Sequence, residues 1–148
     1  MNLFGLLDLS GSAMTAERER AEVVTSNMAN VETTRTSEGG PYRRELVVFR
    51  ARRFPRFPLL LASSGGILQN RASRGVQVDQ VVADPSPAIK RYQPGHPDAD
   101  AKGYVSYPNI NPVEEMTDLL GAVRSYQLNA AAVQAAKSMI TESLDILR

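Results

Sequence analysis

The sequence predicts a mainly α fold with a small β or extended middle: long N- and C-terminal helices packed as a coiled-coil-like pair, and an irregular β-containing insertion between them. Three observations carry this. Leu7, Met14, Ala21 and Met28 recur every seven residues near the start of the chain. A second apolar stripe with steps of three or four residues fills the last quarter. Between them lie the prolines and glycines that neither pattern tolerates. The expected units are residues 1–36, 37–110 and 111–148.

The first helix carries Leu3, Val24 and Val31 on the row beside Leu7, Met14, Ala21 and Met28, and Glu17 interrupts that second row. Such a stripe fits a helical partner. Gly5 and Gly11 weaken the helix by roughly 1 kcal/mol each relative to alanine, while letting another helix approach closely. The helix should stop near "ANVETTRTSEGGP", Ala29 to Pro41, where β-branched residues and glycines favour turns.

In the middle, "YRRELVVFR" predicts a strand over Tyr42–Arg50, and "GVQVDQVVAD" a second over Gly75–Asp84. The intervening "RRFPRFPLLLASSGG" holds Pro55 and Pro58, so an extended loop or hairpin with an irregular tip is expected. Pro85, Pro87, Pro94, Pro97 and Pro108 should keep the next stretch extended without regular pairing, apart from one short strand at Tyr104–Tyr107.

The last helix is the clearest element. Asn111 reads as its N-cap, Pro112 as its first residue, and Glu114 as the partner in a capping box. Glu115 and Asp118 place negative charge near the positive helix end. The stripe runs Val113, Met116, Leu120, Val123, Tyr126, Ala130, Val133, Ala136, Ile140, Leu144 and Leu147. A helix from Pro112 to Arg148 would be about 55 Å long. So long a helix with so narrow a stripe needs partners on more than one side. The first helix supplies one and neighbouring copies would supply the rest. The expected assembly surface is therefore Leu7, Met14, Ala21, Val24, Met28, Met116, Leu120, Val123, Tyr126, Val133, Ile140, Leu144 and Leu147.

Composition excludes several chemistries. There is no cysteine, which removes disulfides, thiolate metal sites and a cysteine nucleophile. His96 is the single histidine. His96, Asp98 and Asp100 alternate among prolines with no second ligand cluster, so a structural turn is expected there, with no metal and no cofactor. No serine–histidine–aspartate set, glycine-rich phosphate loop or spaced carboxylate pair stands out, and no catalysis is expected. No apolar run is long enough to span a bilayer. The apolar start lacks a basic region and is broken by Asp8, so a cleavable signal peptide is not expected.

Net charge is +1, yet residues 41–74 hold eight basic side chains against one acidic. Arg43, Arg44, Arg50, Arg52, Arg53 and Arg56 could track phosphates, which would make the chain a soluble helical adaptor that binds nucleic acid through a basic loop. The near-neutral total and the missing aromatic interleave argue against nucleic acid. Outer contacts with acidic faces of neighbouring subunits or surrounding proteins, or simple solvation, are the expected roles.

Two segments carry a family resemblance. "LDLSGSAMTAERERAEVVTSNMANVETTRTSEGGPYRRE", residues 7–45, resembles the N-terminal signature of bacterial flagellar axial proteins. "PGHPDADAKGYVSYPNINPVEEMTDLLGAVRSYQLNAAAVQAAKSMI", residues 94–140, is similar to the second half of the basal-body rod proteins among them. The middle carries least of the likeness. The resemblance implies a structural subunit of the proximal rod, polymerising with copies of itself and other rod subunits into a tube that crosses the periplasm and transmits motor torque to the hook. It implies export through the flagellar type III apparatus without a cleaved signal peptide, contact with surrounding ring proteins, and no membrane insertion. A chain threaded unfolded through a channel is well served by having no cysteine to cross-link.

Overall fold

The computed structural model describes residues 3–52 and 75–146. In chain order these form α1 (Leu3–Ala29), β1 (Glu45–Ala51), β2 (Val76–Ala83), β3 (Ile89–Tyr92), β4 (Tyr104–Tyr107) and α2 (Pro112–Ile146). The architecture is the mainly α one expected, two terminal helices around a small β insertion. The loop expected between the first two strands falls largely outside the described residues, as do Leu147 and Arg148.

The helices are antiparallel. Asn27 near the end of α1 bonds Glu115 near the start of α2, and Arg20 meets Asp118 one turn further in. Their shared face is lined by small side chains. Ser10, Ala16 and Val24 of α1 and Ala122 and Ala136 of α2 are all buried, which lets the two backbones run close together. Equal steps from the Asn27–Glu115 pair reach Leu3 on α1 and Met139 on α2. The last turns of α2 therefore extend beyond the described part of α1, and residues 141–146 are all exposed.

The start of α2 is capped largely as its sequence suggests. The Asn111 side-chain oxygen accepts the Val113 N–H at 3.1 Å. Glu114 departs from the expected box: its carboxylate takes the Asn111 side-chain amide at 3.2 Å, not the Asn111 backbone N–H.

β1 and β2 form an antiparallel ribbon, Glu45 opposite Ala83 and Ala51 opposite Val76. The register shifts between Val48 and Phe49, so Asp79 has no opposite residue, and its carboxylate meets Arg50 at 2.7 Å. The ribbon lies along α1, tied at both ends. Asn27 holds the start of β1. Ser12 accepts the Val76 N–H at the start of β2. Those anchors are fifteen helical steps apart, about 22 Å, and the six steps of β1 cover about 20 Å. Gly75, at φ +121°, brings the chain so near Ser12 that a Cβ there would collide with the hydroxyl.

β3 and β4 form a second antiparallel ribbon, Ile89 opposite Tyr107 and Tyr92 opposite Tyr104. This corrects the proline-based expectation of an unpaired stretch. The prolines flank Ile89–Tyr92 and none lies inside it, so no donor is lost from the ladder. β1 also begins later than expected, at Glu45, because Tyr42 and Arg44 are drawn into contacts with the helices.

Candidate functional site

The middle of the molecule is pinned to both helices by one polar junction. Asn27 is 1% exposed and uses its whole hydrogen-bonding capacity. Its amide nitrogen donates to the Glu45 carbonyl at 2.9 Å and to Glu115 Oε2 at 3.0 Å. Its oxygen accepts the Glu45 N–H at 2.9 Å and the Tyr42 hydroxyl at 3.1 Å. One side chain thus pairs with both backbone groups of Glu45 as a neighbouring strand residue would.

Glu115, equally buried, needs a cation, since an unpaired buried carboxylate is costly. Arg44 supplies it: its Nε donates to Glu115 Oε1 at 2.5 Å, a charge-assisted bond. Arg44 Nη2 also lies 3.8 Å from Asp118, whose other oxygen takes Arg20 at 3.1 Å. Burial raises the Tyr42 hydroxyl above the ordinary tyrosine value, with the charges of Glu45 and Glu115 adding to the rise and the Ser26 hydroxyl opposing it. The junction joins α1, the approach to β1, and α2. It is filled and satisfied, so it is a structural joint, not a vacant site.

The sequence had marked Arg44 for outer contacts, and the structure turns it inward. Arg50 is exposed but paired with Asp79. Arg43 and Arg52 are exposed, while Arg53 and Arg56 lie outside the described residues. Among the described residues the arginines do not form one phosphate-tracking surface. The apolar stripes of the sequence do not reveal the polar junction. The available signal was Asn27 three residues beyond Val24, and Glu115 seven before Ala122, both polar residues on otherwise inward-facing helix positions.

The residues expected to serve assembly separate into two groups. Val24 is buried, and Leu7, Met14, Ala21, Met28, Val133 and Ile140 are half-buried. Met116, Leu120, Val123, Tyr126 and Leu144 are exposed, and Leu147 is outside the described residues. With Val113, the first three of these make a continuous stripe over the opening turns of α2. Met116 is 54% and Leu120 65% exposed. The stripe lies on the flank of α2, beside the inward side that Glu115, Leu119 and Ala122 occupy on those same turns. The chain's own fold thus leaves this apolar row in water.

The His96 region is a folded turn. His96 Nδ1 accepts the Asp98 N–H, Asp98 accepts the Thr34 hydroxyl at 2.8 Å, and Asp100 accepts the N–H groups of Lys102 and Tyr104. Those two backbone bonds hold the Asp100 carboxyl below the usual aspartate range. The three residues are engaged with backbone and a threonine, and do not converge on one point. Asp98 also draws the segment after α1 onto this turn through Arg35 at 3.9 Å.

Comparison with known proteins follows the same two-ended division. Residues 7–35 match the family described as "Flagella basal body rod protein". Residues 101–146 match the family described as "Flagellar basal body rod FlgEFG protein C-terminal". Over its whole length the chain is 39% identical to the flagellar basal-body rod protein FlgC of Borreliella burgdorferi, covering 99% of that protein. It is 39% identical to FlgC of Bacillus subtilis and 36% identical to FlgC of Salmonella typhimurium, over 99% of this chain and 99% and 98% of theirs.

Proposed function

The chain belongs to the FlgC family of flagellar basal-body rod proteins, and on that premise we propose how it serves as a structural subunit of the proximal rod. It is not an enzyme; its work is to pack against other rod subunits. The units 1–36 and 111–148 form the part that polymerises, and 37–110 packs outside it. Copies of this chain and other rod subunits meet through the terminal helices in a helical tube that carries torque to the hook.

The observation that supports this reading is the apolar stripe Val113, Met116, Leu120 and Val123, which the chain's own fold leaves uncovered. Burying such side chains is worth roughly 1.5–3 kcal/mol each, enough to drive association once the helices are aligned. The half-buried row Leu7, Met14, Ala21 and Met28 would be completed by the same neighbours. Export through the flagellar apparatus, a rod crossing the periplasm, and contact of the exposed Arg43 and Arg52 with ring proteins complete the proposal.

The test is a Met116→Ser, Leu120→Asp variant produced in cells lacking the native chain. Helix content and thermal midpoint should match the parent, because both positions face solvent. Basal bodies should be absent and the cells immotile. Normal rods built from this variant would overturn the assembly reading. Retention of the native chain in the cytoplasm when the export apparatus is deleted would support the export route, and its appearance outside would contradict it.

A further inference from the structure

We propose that the β3–β4 ribbon of one copy receives the last turns of α2 of a second copy, head to tail. This rests on the polymerising reading above and adds which two surfaces meet. The strand register puts Lys90, Tyr92, Tyr104 and Ser106 on one face of the ribbon and Arg91, Val105 and Tyr107 on the other. Val105 and Tyr107 are buried, with the Arg91 guanidinium 4.9 Å above the Tyr107 ring, so that second face is the covered one.

The first face is open and organised. Tyr92, 65% exposed, and Tyr104 stand edge to face with ring centres 5.4 Å apart. Gly103, at φ +79°, makes room for this, since a Cβ there would sit 2.8 Å from the Tyr92 ring. Lys90 and Lys102 border an open cleft of about 390 Å³ beside Tyr104, with Asp100 on its rim. Asp100 is taken up by its two backbone donors, and neither lysine has a carboxylate within ion-pair distance among the described residues. The face therefore presents two lysine ammonium groups around an aromatic pair, with the Asp100 carboxylate, which feels the Lys90 charge, held on the rim by its backbone donors.

Its complement lies at the far end of the same molecule. Glu142, Asp145 and Ile146 are spaced i, i+3 and i+4, hence on one side of α2. All three are exposed, Ile146 by 85%, on turns beyond the described part of α1. Neither carboxylate has an ion-pair partner among the described residues. Two carboxylates beside an apolar tip fit two ammonium groups beside two rings. The halves cannot meet within one chain, because β4 leads directly into the start of α2 and Glu142 lies thirty residues along it, about 45 Å away. Complementary patches at opposite ends make a heterologous contact, which generates open helical assemblies.

Charge reversal tests this. Lys90→Glu with Lys102→Glu, and separately Glu142→Lys with Asp145→Lys, should each reduce basal-body number at least tenfold while leaving the thermal midpoint unchanged. Combining all four should restore at least half of the native number. In parallel, Tyr92→Cys and Ile146→Cys in one otherwise cysteine-free chain should give oxidative cross-links between copies in isolated basal bodies. Normal assembly of both reversed pairs would overturn the contact, as would failure of the combination to rescue or absence of the cross-link. If these fail while the Met116→Ser, Leu120→Asp variant still blocks assembly, the contact is wrong and the rod reading stands. If the stripe variant also assembles, the rod reading fails with it.

Discussion

Asn27 shows how much one side chain can hold. Replacing it with leucine keeps the branched outline but strands both backbone groups of Glu45 at the start of β1, and removes a partner from Glu115. The expected loss is about 2–3 kcal/mol, read as a lower denaturant midpoint at unchanged slope. Arg44→Met should cost about 3–5 kcal/mol, because it leaves the buried Glu115 carboxylate without its cation. Replacing Arg44 and Glu115 together by apolar residues should recover much of that loss in the same denaturation experiment. Tyr42 adds a pH dependence. Its folded pKa is raised, chiefly by burial, so its contribution is intact below the ordinary tyrosine value and disappears as pH rises through the higher folded value. Tyr42→Phe should therefore narrow the stability gap between pH 7 and strongly alkaline solution. Asp100 works in the opposite sense. Its lowered pKa means that the Lys102–Tyr104 turn holds until pH falls below the ordinary aspartate range, which an NMR titration of that carboxyl would read. None of these partnerships was legible in the sequence, because each joins residues that only the fold brings near: Asn27 to Glu115, Arg44 to Asp118, Thr34 to Asp98.

Elements were more readable, and each success and failure has a physical cause. α2 announced itself through Asn111–Pro112 and an unbroken stripe, since capping and periodicity are local. The four-residue β3 did not, because Ile89–Tyr92 is short, lies among prolines, and depends on its pairing with the distant β4. The stripe on α2 was visible, but not which side of the helix each residue takes. Small residues at Ala122 and Ala136 won the place against α1, since they allow the closest approach, and the larger Met116 and Leu120 were left outside. Substitutions should reflect that division. Ala122→Leu ought to cost at least about 1–3 kcal/mol through overpacking, whereas Leu120→Ser ought to stay within roughly 0.5 kcal/mol of the parent. Thermal denaturation of the two variants side by side checks both.

At the scale of the whole molecule, the candidate site was legible as a tendency and not as a map. Two ordered chain ends around a proline-rich middle pointed to assembly. The family resemblance at residues 7–45 and 94–140 pointed to the rod. Which surfaces remain free to assemble depended on packing that no spacing rule encodes. The chain folds into a long helix pair with a ribbon strapped along α1, sealed by small residues within and greasy along the first turns of α2. On the reading proposed above, neighbouring rod subunits complete that surface. The most direct measurement is oxidative footprinting of Met116 in the isolated chain and in assembled basal bodies. The account predicts ready oxidation in solution, as 54% exposure requires, and strong protection in the rod. Equal oxidation in both states would contradict it.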